Sequence, residues 1–165
     1  MSYMSYDSNL VIGSACIAVI ICYVAISLEQ LIFTQHTPRL QKIILCLSGM
    51  VFGFAIWAMH FVGMLACDLP QGYSFDLTLT VISYIIAAMA STFAIWLTTQ
   101  ETLPIVRLIL GGVLMGLGIS GMHYIGMLGL DIPNQQVDYD VILVMLSVII
   151  AISGSGLSFW LAFKY

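Results

Sequence analysis

Two short segments, at residues 59–64 and 122–127, carry the side chains best suited to chemistry. Both read Met-His-aromatic-x-Gly-Met, and each lies late in a long apolar stretch. His60 and His123 are the only histidines of the sequence inside such stretches. An ionisable side chain within an apolar segment is costly to place in a membrane and usually marks a functional site. The duplication of the whole motif therefore predicts one site built from both copies.

The spacing of His and Met in each copy suits a soft metal ion. His60 and Met64, like His123 and Met127, are four residues apart, so on a helix their side chains project from one face at adjacent turns. Imidazole binds copper, zinc, iron and nickel, whereas a thioether selects Cu(I). No carboxylate lies at the same depth, which argues against magnesium, calcium and di-iron centres. The sequence predicts copper, held by two histidines and two methionines.

Less specific roles stay open for the same residues. A membrane histidine is often a hydrogen-bonded structural residue, and methionine, of which this chain has ten, is a common apolar filler. Met59 and Met122 point about 100° away from their histidines on an ideal helix. These two methionines either pack or ligate from a neighbouring helix, and they rank below Met64 and Met127 as ligands.

Transmembrane helices must position these residues. The chain of 165 residues is 61% hydrophobic and 7% charged, with a mean hydropathy of +1.08, which indicates a bilayer rather than water as its solvent. A span needs about 20 apolar residues, and continuous runs of that length in lipid form helices. The predicted fold is an all-α membrane protein with five transmembrane helices. The predicted spans are roughly 9–33, 41–67, 76–98, 104–130 and 140–163.

The basic residues all fall on one side of this topology. Arg39 and Lys42 lie between spans 1 and 2, Arg107 lies between spans 3 and 4, and Lys164 follows span 5. The other loops, which include Asp68 and Asp138, and the N-terminal tail hold no Lys or Arg. By the positive-inside rule we expect the N-terminus outside and the C-terminus in the cytoplasm. The formal net charge is −4 and no basic patch occurs, so no nucleic-acid partner is expected.

The spans form an internal repeat of helix pairs. A shift of 63 residues superimposes the second span on the fourth, with its glycines, its Met-His motif and the following Asp-x-Pro all matching. Within a single membrane domain at 1–165, the units are 6–70, 75–133 and a partial third at 139–165, all in one parallel orientation. A third returning helix is not in this sequence; it is lost, or it comes from another chain or from further sequence. An aspartate begins each entering helix, as N-caps do, at Asp7, Asp76 and Asp140.

Small residues indicate which face of each returning helix turns inward. Gly49, Gly53 and Met64 fall within roughly 40° of His60 on an ideal helix, and the corresponding residues of the fourth span do the same around His123. Small residues mark the faces where transmembrane helices approach closely. We therefore expect both histidines at one level, about 12 Å below the helix ends. They should face the bundle interior, against the small-residue faces of the odd-numbered spans.

These features resemble the MHYT domain, a bacterial integral-membrane sensory module named for a Met-His-Tyr-Thr motif. The resemblance rests on MHFVGM at 59–64, MHYIGM at 122–127 and the Tyr-Asp pairs at 6–7 and 139–140, and it covers almost the whole chain. Two departures are the absent third motif and the residues Val62 and Ile125 where the motif has Thr. The resemblance implies copper near the outer face of the bacterial cytoplasmic (inner) membrane. The implied ligands are Met59, His60, Met64, Met122, His123 and Met127.

The resemblance also implies a function. The family senses oxygen, carbon monoxide or nitric oxide and is often fused to enzymes that make or break cyclic-di-GMP. We therefore expect a sensor of a diatomic gas or of redox state, with a cytoplasmic signalling domain as partner and homo-oligomerisation left open. No catalytic arrangement recurs, so the chain itself is not expected to be an enzyme. The alternatives are a copper-handling or transport protein, which the apolar stretches 51–55 and 113–117 disfavour, and a purely structural membrane module.

Overall fold

Five long helices make up nearly all of the fold. The computed structural model describes residues 7–67, 69–70, 72–100, 104–133 and 139–164. Of residues 162–164 it describes the backbone alone. All five helices are long and apolar enough to cross a membrane, and many of their large apolar side chains are exposed, as lipid-facing surfaces require. The predicted all-helical membrane fold is confirmed. The helices are α1 (Ser8–Thr34), α2 (Pro38–Leu65), α3 (Leu77–Thr98), α4 (Ile105–Leu128) and α5 (Val141–Lys164).

The three entering helices α1, α3 and α5 begin in the predicted way. The side chains of Asp7, Asp76 and Asp140 each accept a backbone N–H from the first turn of their helix at 2.8 Å. These carboxylates satisfy donors that a helix cannot pair internally. The N-cap prediction is therefore confirmed. Tyr6, Asp68 and Asp138, which also entered the sequence predictions, lie outside the described residues.

The returning helices α2 and α4 end about two residues earlier than predicted, at Leu65 and Leu128. At both ends a backbone bond joins the returning helix to the start of its own entering helix. The Asp7 N–H donates to the Ala66 carbonyl at 2.9 Å, and the Asp76 N–H donates to the Gly129 carbonyl at 2.7 Å. Beside the second bond, β1 (Ser74–Phe75) pairs antiparallel with β2 (Leu130–Asp131). These pairings use backbone groups that a continuing helix would occupy.

Neighbours in sequence are neighbours in the bundle. Each helix packs on the next, and α2 also touches α4 across the interior. We call the side where α1, α3 and α5 begin the histidine side, and the side holding Arg39 and Arg107 the basic side.

Glycines set the spacing between each returning helix and the next entering helix. A Cβ at Gly53 would lie 2.6 Å from the Ala88 backbone, and one at Gly116 would lie 2.5 Å from the Ile152 backbone. Only glycine fits at such distances. Since Gly116 is the repeat counterpart of Gly53, α2 meets α3 as α4 meets α5. Gly53 thus faces small residues of α3, Ala87 and Ala88, as predicted. On α5, in contrast, Gly116 faces Ile152, a large residue, so there the prediction of a small-residue surface is wrong.

Candidate metal centre

The imidazoles of His60 on α2 and His123 on α4 meet between the two returning helices. Their Nδ1 atoms are 3.2 Å apart, and their ring centroids are 4.6 Å apart with planes inclined by 68°. Both side chains are half-buried. Two residues separated by 63 positions therefore converge at one level, as the repeat predicts. Their role as metal ligands stays a prediction.

Gly126 allows the ring of His60 to lie against α4. A Cβ at this position would be 2.9 Å from His60 Nε2 and 3.2 Å from Phe61 Cζ. At Gly63, the repeat counterpart on α2, an added Cβ would have nothing within 4 Å. The site is therefore asymmetric: one histidine packs over the glycine of the other helix, whereas the glycine of its own helix faces open space.

The contact between the two Nδ1 atoms is compatible with two protonation states. Neutral imidazole carries one N–H, so one Nδ1 can donate to the other, although 3.2 Å is at the long end for such a bond. With both Nδ1 atoms unprotonated, their lone pairs point into a shared space and suit a cation. Metal–nitrogen distances of about 2.0 Å in a tetrahedral site place two nitrogen ligands about 3.3 Å apart. The observed separation fits this arrangement.

The second ring nitrogen of His60, Nε2, differs from Nδ1 in its surroundings. Nε2 is buried and has no hydrogen-bond partner among the residues that the structure describes. A buried polar atom left unpaired costs about 1–3 kcal/mol. An unpartnered buried atom of this kind needs a specific explanation, and a bound ion is one such explanation.

The predicted methionines occupy three different environments. Met64, 8% exposed, forms a buried cluster with Phe61 and Leu130, and Met127 packs against that cluster. This cluster lies on the histidine side of the imidazole pair. Met122 is 2% exposed in the interior, whereas Met59 is 44% exposed on the outer surface of the bundle and is not brought to the pair.

Other ligand types are scarce around this pair. Within the described ranges, no three His, Cys, Asp or Glu side chains gather closely enough to hold a metal ion. A ligand set supplied by this chain would therefore need thioethers beside the two imidazoles. Thioether sulfur is soft and favours Cu(I) over hard ions such as magnesium.

Two serines next to the site were not recognised from sequence as its partners. Trp57 Nε1 donates to Ser83 Oγ at 3.1 Å, and the Tyr124 hydroxyl hydrogen-bonds Ser147 Oγ at 2.5 Å. Each bond ties a returning helix to the next entering helix near the histidines. The available signal was a serine seven residues after the first aspartate of every unit, but the donors differ in type and position, so the repeat did not reveal them.

Five membrane-spanning helices in repeated pairs, with an imidazole pair where the two returning helices touch, define a multi-pass membrane module with an interior polar site. The chain belongs to the MHYT family. The family profile, described as a bacterial signalling protein N-terminal repeat, matches residues 53–111 and 116–165. The family prediction is therefore confirmed.

Curated relatives are signalling proteins. The chain is 40% identical over 164 residues to the bifunctional diguanylate cyclase/cyclic di-GMP phosphodiesterase MucR of Pseudomonas aeruginosa, covering 99% of this chain and 24% of MucR. It is 33% identical over 159 residues to the signaling protein YkoW of Bacillus subtilis, covering 94% of this chain and 19% of YkoW. The cyclic di-GMP phosphodiesterase NbdA of P. aeruginosa is 32% identical over 152 residues, covering 92% of this chain and 19% of NbdA.

The chain thus spans a quarter or less of these relatives. No solved structure matches it. The matches show a protein of a signalling family and support a sensor role, and together with the five apolar helices they indicate a multi-pass membrane protein.

Proposed function

We propose that this chain is the membrane sensor of a signalling protein and that His60 and His123 hold a copper ion, with Met64 and Met127 as thioether ligands. The observation that carries the proposal is the Nδ1–Nδ1 separation of 3.2 Å inside a membrane bundle. This separation matches an edge of a tetrahedral site. Bound copper would supply a soft centre that can bind a diatomic gas such as oxygen, carbon monoxide or nitric oxide. It could instead accept or release an electron in response to a change in redox state.

Packing around the site restrains its side chains and buries one of the two thioethers. Phe61 and Leu130 bury Met64 and exclude water from the thioether. Gly126 lets an edge of the His60 ring lie against α4, so packing restricts the orientation of the imidazole. A pair of imidazoles held in place by packing is suited to respond to a change in its own ligand.

The same contacts offer a route for the signal. The imidazole pair joins α2 to α4, and the glycines of these helices lock them to α3 and α5. A change in the Nδ1–Nδ1 separation would therefore shift each returning helix against the next entering helix. Small helix shifts of this kind are a common switching mode.

The distribution of basic residues supports an output on the basic side. With Arg39, Lys42 and Arg107 in the cytoplasm, the N-terminus lies outside and the histidine side faces outward. The cytoplasmic partner that we propose is a cyclic-di-GMP enzyme domain, like those for which MucR and NbdA are named. This partner is either part of the same polypeptide or a separate chain.

Copper analysis tests the ligand assignment. Protein purified without added metal is compared with a His60→Ala/His123→Ala double variant. The matched control is His36→Ala, which removes the third histidine, in the loop between α1 and α2. We expect stoichiometric copper in the wild type and the control, and none in the double variant. Equal copper in all three would refute the assignment.

Spectroscopy separates a sensor from a copper carrier. Carbon monoxide or nitric oxide added to the reduced, copper-loaded protein should change its spectrum while copper stays bound. Release of copper without a gas adduct would favour a transport role instead.

A further inference from the structure

A groove runs along the outside of the bundle between α2 and α3. Its volume is about 600 Å³, and within the described part of the chain its walls are almost wholly apolar and carry no charged side chain. Cys46 and Met50 line it on α2, and on α3 the lining extends from Tyr84 to Trp96. Because Cys46, Met50 and Trp96 are exposed, this α2–α3 groove opens toward the lipid.

The polar atoms in the walls of the α2–α3 groove are already paired with the backbone. Thr92, which packs on Gly49 of α2, donates its hydroxyl to the Ala88 carbonyl at 2.7 Å. The Tyr84 hydroxyl donates across the groove to the Met50 carbonyl at 3.3 Å. With these hydroxyls satisfied, the walls present an apolar surface that suits a hydrocarbon chain.

The length of the α2–α3 groove matches one leaflet of a bilayer. Tyr84 and Trp96 are twelve residues apart on α3, which corresponds to about 18 Å along the helix axis. Trp96 lies close to the end of α3 at Thr98, on the basic side. The hydrocarbon core of a bilayer is about 30 Å thick, so one leaflet contributes about 15 Å. An acyl chain that enters from the basic side therefore fits the groove along its length.

Two basic side chains continue the same face of α2 beyond the groove. Lys42 and Arg39 precede Cys46 by four and seven residues, so they lie one and two turns nearer the basic side on one stripe of the helix. Both are exposed, and both lie within about 6 Å of the start of α2 at Pro38, where lipid headgroups begin. Glu29, a carboxylate near the same side, instead lines the gap between α1 and α5.

We propose that the α2–α3 groove binds one anionic phospholipid from the leaflet on the basic side. One acyl chain lies in the groove between Trp96 and Tyr84, and the phosphate contacts Arg39 and Lys42. The apolar walls require hydrocarbon, and two cations at the mouth select a negatively charged headgroup over a zwitterionic one. The site is separate from the imidazole pair, so it does not depend on bound copper.

Trp96 can report the lipid beside it, because it lines the groove and is 43% exposed. The full chain, with Trp57 and Trp160 replaced by phenylalanine, is placed in phosphatidylcholine liposomes that contain increasing fractions of a lipid with brominated acyl chains. Bromine quenches tryptophan fluorescence at contact distance, so quenching measures occupancy of the groove. We expect brominated phosphatidylglycerol to bind about fivefold or more tightly than brominated phosphatidylcholine, the effect of at least one basic side chain.

Removal of the two cations should abolish the selectivity for the headgroup. The Arg39→Gln/Lys42→Gln double variant should bind the two brominated lipids equally, since both headgroups then meet an uncharged surface. The matched control is Arg107→Gln, which removes an exposed basic side chain on the same side of the membrane but from α4, outside the groove lining. This control should keep the preference for phosphatidylglycerol.

A second pair of variants tests the groove itself. Cys46→Phe places a large side chain in the groove at an exposed position, and should lower the quenching by brominated phosphatidylglycerol because the acyl chain is displaced from Trp96. Leu47→Phe is the matched control, at a neighbouring position that is 49% exposed and outside the groove lining, and should leave the quenching unchanged. Equal Tm values would show that both variants fold.

Three results would overturn the proposal. One is equal quenching of Trp96 by the two brominated lipids in the chain that keeps both Arg39 and Lys42. Another is a loss of preference in Arg107→Gln as complete as in the double variant, because general surface charge would then be the cause. The last is the absence of quenching by either lipid, because a protein surface such as a second copy of the chain would then cover the groove.

Discussion

Gly126→Ala adds a methyl group directly against the imidazole of His60. The new Cβ would be 2.9 Å from Nε2 and 3.2 Å from Phe61 Cζ, so the ring must move by several tenths of an ångström (~0.5 Å) to restore contact distances. Overpacking of this kind costs about 1–3 kcal/mol. Alanine in a helix interior recovers about 0.8–1.0 kcal/mol relative to glycine. The net change should lie between roughly zero and a loss of about 2 kcal/mol.

Gly63→Ala is the matched control, because it occupies the same place in the repeat. Its Cβ meets nothing within 4 Å, so only the gain in helix propensity applies, at most about 1 kcal/mol. The two variants should therefore differ by about 1–3 kcal/mol, with Gly126→Ala the less stable. For a domain of this size, 1 kcal/mol moves Tm by about 2–4 °C.

Two measurements check the comparison. Tryptophan fluorescence in detergent follows unfolding and should place Tm of Gly126→Ala below that of Gly63→Ala by roughly 2–12 °C. Copper content should fall in Gly126→Ala, because His60 moves relative to His123, and should persist in Gly63→Ala. Equal Tm values and equal copper in the two variants would refute the packing of His60 on Gly126.

Two further predictions concern the contacts that hold the helix pairs. Trp57→Phe removes the donor to Ser83 Oγ while keeping an aromatic ring, and should lower the free energy of unfolding by about 1 kcal/mol, measured as a lower Tm. Asp76→Ala removes the N-cap of α3, which accepts the Leu79 N–H, and should cost about 0.5–2 kcal/mol in the same assay.

Controls for both come from the same chain. Trp96→Phe changes an indole that is 43% exposed and packs on Phe93, and should leave Tm nearly unchanged. Asp131→Ala removes an exposed aspartate whose backbone, rather than its side chain, pairs with Ser74. If the controls lower Tm as much as Trp57→Phe and Asp76→Ala, the hydrogen bonds at Ser83 and Leu79 are not the cause.

The helices and their caps could be predicted because they depend on local properties. Apolar runs of spanning length leave a chain in lipid no alternative to the helix. The aspartates before α1, α3 and α5 cap the helices that follow them, as the pattern indicated. The repeat likewise indicated that His60 and His123 share a level, since equal spacing from equivalent helix ends gives equal depth.

The repeat in the sequence could not show which equivalent residues have different surroundings in the structure. Met59 and Met122 are equivalent in sequence, yet one lies on the outer surface and the other in the interior. Gly63 and Gly126 are equivalent as well, yet only Gly126 supports an imidazole. Equivalent residues differ because the row of helices has two ends, and a position's surroundings depend on which neighbours its helix has.

The sequence by itself determined five spans, their pairing into units, the caps and the inward stripe of each returning helix, because hydropathy and helical period act within one segment. Only the tertiary structure decided that the two Nδ1 atoms meet at 3.2 Å, that Ser83 and Ser147 receive hydrogen bonds, and that a gap lies between α1 and α5. These features depend on distances between helices. Such distances follow from the packing of side chains far apart in the chain, which no single segment encodes.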